Sequence, residues 1–261
     1  MTDTTNINWD LATQRVVVVG GCGGIGQALV KTCLDQQLRV AVLDLPRSIA
    51  ENPVDERVEL VLEINALAEA TLLEAFQEIE KHWNAIEHLI CLQGFTGAIT
   101  PLENLDLDTW EDVMDVNLRS VWLCCKYGLP LLRQAERGSI VLVSSGIANL
   151  GAAGYGPYAI SKSGIQTLTK IVAREAAPHI QANCVAPGAV ITPFLGKGTG
   201  RGGQQGDVPE RVNLEQYLKM VPAGYVAKPA DVVGPILFLM SNAARYMTGQ
   251  IIHVNGGALM P

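Results

Sequence analysis

The sequence predicts an α/β fold, a doubly wound seven-stranded parallel sheet with helices on both faces, in a single domain over residues 1–261. Three observations lead to this prediction. Short runs rich in β-branched residues alternate with longer helical stretches along the chain. Several of these runs are apolar at consecutive positions, as expected of strands covered on both faces. No low-complexity linker divides the 261 residues.

The elements are placed in chain order from these runs. Strands are predicted at 15–19, 38–44, 58–64, 89–92, 139–144, 180–186 and 251–254. Helices are predicted at 25–36, 66–82, 109–127, 158–176 and 230–240. Repetition of strand and helix implies right-handed crossovers between parallel strands.

Two segments interrupt the alternation, a loop at 93–101 and a long stretch at 192–222. The second contains six glycines within eleven residues, so it is either an active-site lid or a disordered loop. Because it follows a strand at the end where such sheets bind ligands, we favour a flexible substrate-binding lid.

Charge and hydropathy exclude several classes of protein. Acidic residues outnumber basic ones by 26 to 19, and the net charge of −7 argues against a nucleic-acid or anionic-membrane surface. Apolar runs such as 16–19 and 236–240 are far shorter than the ~18 residues of a membrane helix. The first residues lack the features of a signal peptide. We expect a soluble, cytoplasmic protein that handles small molecules.

The cysteines and histidines show no metal-ligand spacing. Six cysteines lack Cys-x-x-Cys spacing and most stand in apolar surroundings, which favours buried free thiols. The four histidines show no ligand spacing either. We therefore predict no metal site.

The first predicted strand runs into a glycine-rich turn, 20–26, that opens the first helix. Glycines let the backbone approach a pyrophosphate, and the helix N-terminus supplies free N–H groups and a favourable dipole. A glycine cluster by itself also fits a simple tight turn. The second strand, however, ends at Asp44, where a carboxylate can accept hydrogen bonds from both ribose hydroxyls of an adenosine.

Asp44 favours NAD over NADP as the cofactor, because its carboxylate would repel a 2′-phosphate. Gly23 agrees, since it leaves no basic side chain in the turn. Arg47, three residues beyond Asp44, fits either partial accommodation of a phosphate or a surface role, and we favour the surface role.

Tyr158 and Lys162, with Ser145 thirteen residues before Tyr158, indicate proton-transfer chemistry. A phenol titrates near pH ~10 in isolation, so a tyrosine that exchanges protons near neutral pH needs a cation close by. In a helix, side chains at i and i+4 share a face, which puts the Lys162 ammonium beside the Tyr158 hydroxyl. The spacing alone also fits an aromatic–lysine pair on a solvated face. The other motifs are needed to distinguish a proton-transfer pair from such a surface pair.

Together these motifs resemble the short-chain dehydrogenase/reductase family, in its short single-domain branch, over nearly the whole chain. The matching segments are Val19 to Gly26, Asn117, Ser144-Ser145, Tyr158 with Lys162, Pro187-Gly188 with Thr192, Thr248-Gly249, and Val254 to Gly257. Three departures are Val19 for the usual threonine, Cys91-Leu92-Gln93-Gly94 for the usual Asn-Asn-Ala-Gly, and Glu63 for an aspartate near the adenine. The resemblance implies a Rossmann-like fold.

The resemblance also implies roles for site residues. Tyr158 is implied as general acid or base, with a pKa lowered by Lys162 and the nicotinamide ring. Ser145 is implied to stabilise charge on the substrate oxygen, and Asn117 to hold a water that links Lys162 to solvent. The implied cofactor-binding residues are Gly20, Cys22, Gly23, Gly24, Ile25, Gly26, Asp44, Glu63, Ile64, Gln93, Gly94, Tyr158, Lys162, Pro187, Gly188, Val190 and Thr192. Candidate substrate-binding residues are Ser145, Ile147, Tyr155, Tyr158, Gly188, Phe194, Lys197 and Arg201, although Tyr155 also fits a packing role.

The predicted function is an NAD-dependent oxidoreductase that interconverts a secondary alcohol and a ketone, in the oxidative direction. Lys197 and Arg201, in the lid of an acidic chain, favour a small polar substrate such as a sugar, polyol, sugar acid or hydroxy acid. Apolar residues such as Phe194 leave a cyclic or aromatic secondary alcohol open.

Two further functions stay in view. One is a 3-oxoacyl-type carbonyl reductase. Asp44 disfavours this function, because such enzymes usually use NADPH. The other is a catalytically silent NAD-binding regulator, which the complete set Asn117, Ser145, Tyr158 and Lys162 disfavours. From the family we also expect a homodimer or homotetramer, assembled through helices 109–127 and 158–176.

Overall fold

The structure, a computed structural model, describes residue 9, residues 11–196 and residues 213–261. Its strands are β1 Arg15–Val19, β2 Arg39–Asp44, β3 Leu60–Glu63, β4 His88–Cys91, β5 Gly138–Val143, β6 Ile180–Pro187 and β7 Ile251–Val254. All pair in parallel in one seven-stranded sheet of order β3-β2-β1-β4-β5-β6-β7. The predicted fold class is confirmed, and each predicted strand is found within two residues of its predicted bounds.

The strand order places a crevice at the carboxyl end of the sheet. β1 pairs with β2 on one side and with β4 on the other, so the chain reverses its direction of travel across the sheet at β1. Ligands of open α/β sheets bind at such a switch point. Val19, Leu43 and Cys91, which end or nearly end their strands, stand side by side at this edge.

The sheet is buried on both faces. Side chains alternate along β1, so Val17 and Val19 pack in the layer that contains Phe76 and Ile165. Val16 and Val18 pack in the opposite layer. Two apolar layers explain why the strand sequences are apolar at consecutive positions.

The helices cover these two layers. Their bounds are α1 Gly24–Asp35, α2 Pro46–Glu51, α3 Glu69–Trp83, α4 Leu107–Met114, α5 Ser120–Leu132, α6 Gly156–Glu175, α7 Pro193–Gly196, α8 Leu214–Leu218 and α9 Pro229–Met240. The sequence pattern missed α2, α7 and α8, because helices of four to six residues are too short to show a 3.6-residue period. The five longer predictions correspond to α1, α3, α4 with α5, α6 and α9.

The helix predicted at 109–127 is longer than expected and irregular. It begins at Leu107, because the carboxylate of Asp106 accepts a hydrogen bond from the backbone N–H of Thr109 at 2.6 Å and caps the first turn. A π-helical turn, Asp115–Arg119, separates α4 from α5. Such turns inside helices are frequent at functional sites.

Three further observations concern predicted properties. None of the helices in the described ranges is long and apolar enough to cross a membrane. Those ranges also hold no cluster of three or more His, Cys, Asp or Glu side chains that would suit a metal ion. All six cysteines are free and buried, which confirms the prediction of buried thiols.

Part of the predicted lid at 192–222 lies outside the described residues, namely 197–212 with Lys197 and Arg201. The described parts contain α7 before this gap and α8 after it.

Candidate active site

The glycine turn joins β1 to α1 in very little space. Gly20 has a φ of +83°, and a Cβ there would lie 2.9 Å from the backbone nitrogen of Gln93. A Cβ on Gly26 would overlap the carbonyl oxygen of Gly20. The N-cap residue Gly23 gives α1 no side-chain cap, and the first turn has no acidic residue. The N-terminal N–H groups of α1 are therefore suited to an anionic ligand.

Asp44, the last residue of β2, braces this turn. Its Oδ2 accepts a hydrogen bond from the backbone N–H of Cys22 at 2.8 Å, and its Oδ1 accepts one from Leu45 at 2.8 Å. Burial, and then the neighbouring Asp44, raise the pKa of the Cys22 thiol to about 12, so the thiol stays protonated. Arg47 forms an exposed ion pair with Glu51 at 2.6 Å, which agrees with a surface role.

The side chain of Gln93 does not line the cavity, although Gln93 was expected to contact the cofactor. Its side-chain Nε2 donates to Ser120 Oγ at 3.3 Å and lies 3.5 Å from Cys124 Sγ, so the side chain faces α5. Its Oε1 is buried without a hydrogen-bond partner among the described residues. Gly94 next to it is tightly enclosed, since a Cβ there would lie 3.0 Å from both Asn117 Oδ1 and Lys162 Nζ.

A cavity of about 400 Å³ extends from the glycine turn to the carboxyl ends of β5 and β6. Most predicted site residues line it: Gly20, Gly23, Gly24, Ile25, Gly26, Gly94, Ser145, Ile147, Tyr155, Tyr158, Lys162, Pro187, Gly188, Val190, Thr192 and Phe194. Predicted residues outside its lining are Cys22, Asp44, Glu63, Ile64, Gln93 and Asn117. Glu63 stands beside Asp44 in the sheet register, and the N–H of Ile64 donates to the carbonyl of Asp44 at 2.9 Å.

Ser145, Tyr158 and Lys162 meet at one end of the cavity. Ser145 follows β5, and Tyr158 and Lys162 lie on the first turns of α6. Lys162 Nζ lies 5.9 Å from the centre of the Tyr158 ring and donates to the carbonyl of Val143 at 3.0 Å. The predicted placement of both side chains on one helix face is therefore observed.

Burial dominates the titration of this group. It raises the pKa of Tyr158 to about 12, although a hydrogen bond with Ser145 acts in the opposite direction. It also lowers the pKa of Lys162 to about 8, against the smaller effects of Cys184 and Cys91. The chain's own residues thus do not supply the lowered tyrosine pKa expected from Lys162 with a nicotinamide ring, because the lost hydration of a buried phenolate outweighs the hydrogen bond with Ser145.

Asn117 lies in the π-helical turn and is fully buried. Its Nδ2 donates to the Phe95 carbonyl at 2.8 Å and to Ser161 Oγ at 3.1 Å, and its Oδ1 accepts from the Phe95 N–H at 2.9 Å. The side chain therefore ties the 93–101 loop to α6 and does not face the cavity.

The cavity is also lined by three groups of residues that were not named as site residues from the sequence, although the second group lies in the predicted lid. These are Leu150 after the loop Gly146–Asn149, Tyr217 and Met220 at α8, and Asn255, Ala258 and Leu259 after β7. The Tyr217 hydroxyl accepts a hydrogen bond from the backbone N–H of Ala189 at 3.0 Å, which attaches α8 to the cavity wall. The only sequence signal for the third segment was the C-terminal match at Val254 to Gly257.

Comparison with known proteins gives consistent results. A family model described as enoyl-(acyl carrier protein) reductase matches residues 20–258. The chain is 31% identical to a 3-oxoacyl-[acyl-carrier-protein] reductase FabG of Chlamydia pneumoniae, over 95% of this chain and 97% of that protein. It is 29% identical to the FabG of Thermotoga maritima, over 94% and 97%.

Solved structures agree with the fold. The ligand-free aldohexose dehydrogenase of Thermoplasma acidophilum aligns with a TM-score of 0.84 at 25% identity, over 97% of this chain and 96% of that one. A structure described as a short-chain dehydrogenase/reductase, glucose/ribitol dehydrogenase, from Brucella melitensis aligns with the same score and identity, over 97% and 99%.

Proposed function

Because the chain belongs to the short-chain dehydrogenase/reductase family, we propose that it is an NAD-dependent oxidoreductase that interconverts a secondary alcohol and a ketone by hydride transfer. One observation carries this proposal: Ser145, Tyr158 and Lys162 open into the same cavity as the glycine turn. An acid–base group and a phosphate-binding helix N-terminus in one space are what a nicotinamide-dependent reaction requires.

The residues around the turn fit a dinucleotide. The N-terminus of α1 is uncapped, and the space beside Gly24 is so limited that a Cβ would lie 2.7 Å from Thr192 Cγ2. We propose that the cofactor-binding residues predicted from the sequence bind NAD. Gln93 would contribute only its backbone, because its side chain faces α5. When bound, NAD would supply the hydride acceptor at its nicotinamide ring.

Asp44 supports NAD over NADP. Two backbone N–H groups hold its carboxylate at the end of β2. A carboxylate fixed at this position would repel a 2′-phosphate.

We propose Tyr158 as the general acid or base. Its pKa of about 12 keeps the hydroxyl protonated at neutral pH, ready to donate to a ketone oxygen. Ser145 would donate to the same oxygen and stabilise the charge that develops on it. The amine of Lys162, with a pKa of about 8, is protonated at neutral pH and would stabilise the phenolate once the proton is transferred.

We propose that Asn117 acts through its backbone carbonyl. Its side chain is occupied by Phe95 and Ser161, so the water that links Lys162 to solvent would bind the π-helical turn itself. The side chain would serve to hold the turn in place.

A second candidate function is reduction of a 3-oxoacyl thioester. The observation in its favour is that relatives at 31% and 29% identity are named 3-oxoacyl-[acyl-carrier-protein] reductases. Asp44 argues against an NADPH-dependent reduction of this kind, because its carboxylate would repel the 2′-phosphate.

Cofactor affinity and turnover test the proposal. We expect NADH to bind at least tenfold more tightly than NADPH in fluorescence titrations, and NAD-dependent oxidation of a secondary alcohol to disappear in Tyr158→Phe. Tyr246→Phe is the matched control, because Tyr246 is fully exposed and does not line the cavity. A clear NADPH preference would contradict the Asp44 argument, and turnover that survives Tyr158→Phe would contradict the proton-transfer assignment.

We also propose a homodimer or homotetramer. The helices α5 and α6 expose apolar side chains, among them Trp122, Ile160 and Ile171, each about half exposed. Such side chains are commonly buried between subunits. Analytical ultracentrifugation at micromolar concentration should give a species larger than a monomer, and a monomer would contradict the proposal.

A further inference from the structure

Part of the cavity lining is apolar. We call this part the distal pocket and define it by Ile147, Tyr155, Phe194, Tyr217, Met220 and Leu259. These residues come from five segments: the loop after β5, the start of α6, the two described parts of the lid, and the C-terminus. Their side chains are aliphatic, thioether or aromatic, and the only polar atoms they carry are two tyrosine hydroxyls.

Among the described residues that line the cavity, no charged side chain is available to bind a polar substrate. Lys162 is the only Lys, Arg, Asp, Glu or His among them. Lys162 is 3% exposed and already donates to the carbonyl of Val143. A carboxylate or phosphate in the distal pocket would therefore find no free cation among these lining residues.

One aromatic ring of the distal pocket lies beside Tyr158. The ring of Phe194 lies 6.3 Å from the ring of Tyr158 at an angle of 45°. Rings at this distance and tilt form favourable aromatic contacts. A planar or cyclic group attached to the reacting carbon could contact the Phe194 ring while its oxygen reaches Tyr158 and Ser145.

Hydrogen bonds hold two walls of the distal pocket in place. Tyr217 is attached to the backbone of Ala189 at 3.0 Å. Leu259 is held through its carbonyl, which accepts a hydrogen bond from Asn255 Nδ2 at 2.8 Å. The apolar walls are thus largely formed before a substrate binds, as is usual for small-molecule sites.

We propose that the distal pocket takes an apolar cyclic or aryl secondary alcohol, or the corresponding ketone, as the substrate of this enzyme. This inference rests on the proposed function and names its substrate class. An unpaired polyol hydroxyl would lose roughly 5- to 150-fold in affinity on entering such walls. In the oxidation, the carbinol C–H bond would break and its hydrogen would leave with the electron pair as a hydride to bound NAD⁺. The Tyr158 hydroxyl would first release its own proton to solvent, and the phenolate, stabilised by Lys162, would then accept the substrate's hydroxyl proton, which leaves the C=O bond.

A substrate panel tests the proposal. With NAD⁺, we expect kcat/KM for cyclohexanol, 1-phenylethanol or 1-indanol to exceed that for ribitol, lactate and a 3-hydroxybutyryl thioester by at least 100-fold. Phe194→Ala should lower kcat/KM for the aryl alcohols at least tenfold while leaving the Kd of NADH within twofold. Leu218→Ala is the matched control, because Leu218 is on α8 but is not a lining residue.

The outcomes separate this inference from the proposed function. If ribitol, lactate or the thioester is the best substrate and its turnover disappears in Tyr158→Phe, the substrate class is overturned and the proposed function stands. A hydroxy acid whose KM rises in the double variant Lys197→Ala/Arg201→Ala would overturn it in the same way. If NADH binds but no compound is oxidised or reduced, both are overturned.

Discussion

Replacement of Gly188 by alanine tests the attachment of α8 to the cavity. Gly188 has no positive φ, so its backbone can accept alanine. The obstacle is space, since a Cβ would overlap the Tyr217 hydroxyl oxygen and lie 3.1 Å from Asn255 Cβ. The simplest relief is a displacement of Tyr217, which breaks its hydrogen bond with Ala189.

The magnitudes follow from these contacts. Loss of the Tyr217–Ala189 hydrogen bond should cost about 1 kcal/mol, and the residual overpacking against Asn255 about 1 kcal/mol more. Gly188→Ala alone should therefore lower the free energy of unfolding by about 2 kcal/mol. Tyr217→Phe alone should lower it by about 1 kcal/mol, because it removes only the hydrogen bond. In the double variant that bond is already absent, so the total should be about 2 kcal/mol rather than the sum of about 3.

Urea unfolding at one protein concentration and pH 7 measures these values, with NADH titration as a second readout because Gly188 lines the cavity. The expected coupling between positions 188 and 217 is about 1 kcal/mol. The pair Gly188→Ala and Leu218→Ala is the control, and its two effects should add. If the Gly188–Tyr217 pair is also additive within about 0.4 kcal/mol, the reasoning from the crowded contact is wrong.

Three other predictions follow from the site. Lys162 has a pKa of about 8 in the fold, below its ordinary 10.5, so the unfolded chain binds more protons at this residue between these values, and the contribution of Lys162 to stability should rise with pH by up to about 3 kcal/mol. Urea unfolding should show this rise in the stability of the wild type relative to Lys162→Met, because the buried cysteines with raised pKa values affect both proteins alike, and equal slopes would contradict it. Asp44→Asn should weaken NADH binding about tenfold and reduce the ratio of the NADPH Kd to the NADH Kd. An unchanged ratio in competition titrations would refute the argument that the Asp44 carboxylate repels a 2′-phosphate. Gly26→Ala should abolish NADH binding, because its Cβ overlaps the carbonyl of Gly20, whereas Gly234→Ala in α9 has open space and should stabilise the protein by about 1 kcal/mol. Comparable NADH binding by both glycine variants would show that the turn is not crowded as described.

The fold class and most of the cavity lining could be predicted from the amino-acid sequence. Five of the seven strands are mostly buried on both faces, which makes them apolar at consecutive positions, whereas the edge strands β3 and β7 are only partly buried. The turn at 20–26, Ser145, Tyr158 and Gly188 could be assigned because each lies at the end of a strand or the start of a helix. In a parallel sheet those ends meet at one edge.

Only the tertiary structure decided where individual side chains point and what surrounds them. The side chain of Gln93 faces α5, and that of Asn117 holds the loop at Phe95, because packing between distant elements sets these directions. The pKa of Tyr158 moves up rather than down because burial outweighs the hydrogen bond with Ser145, and burial depends on the whole fold.

The residues of the distal pocket are also brought together only by packing between distant elements. Tyr217, Met220 and Leu259 come from segments far from Tyr158 in sequence, and no local pattern marks them as neighbours. Motif spacing indicated Ser145, Tyr158 and Lys162 as candidates for proton transfer because those residues share a short stretch of chain. The substrate class depends on which remote side chains close the cavity, and folding alone brings those together.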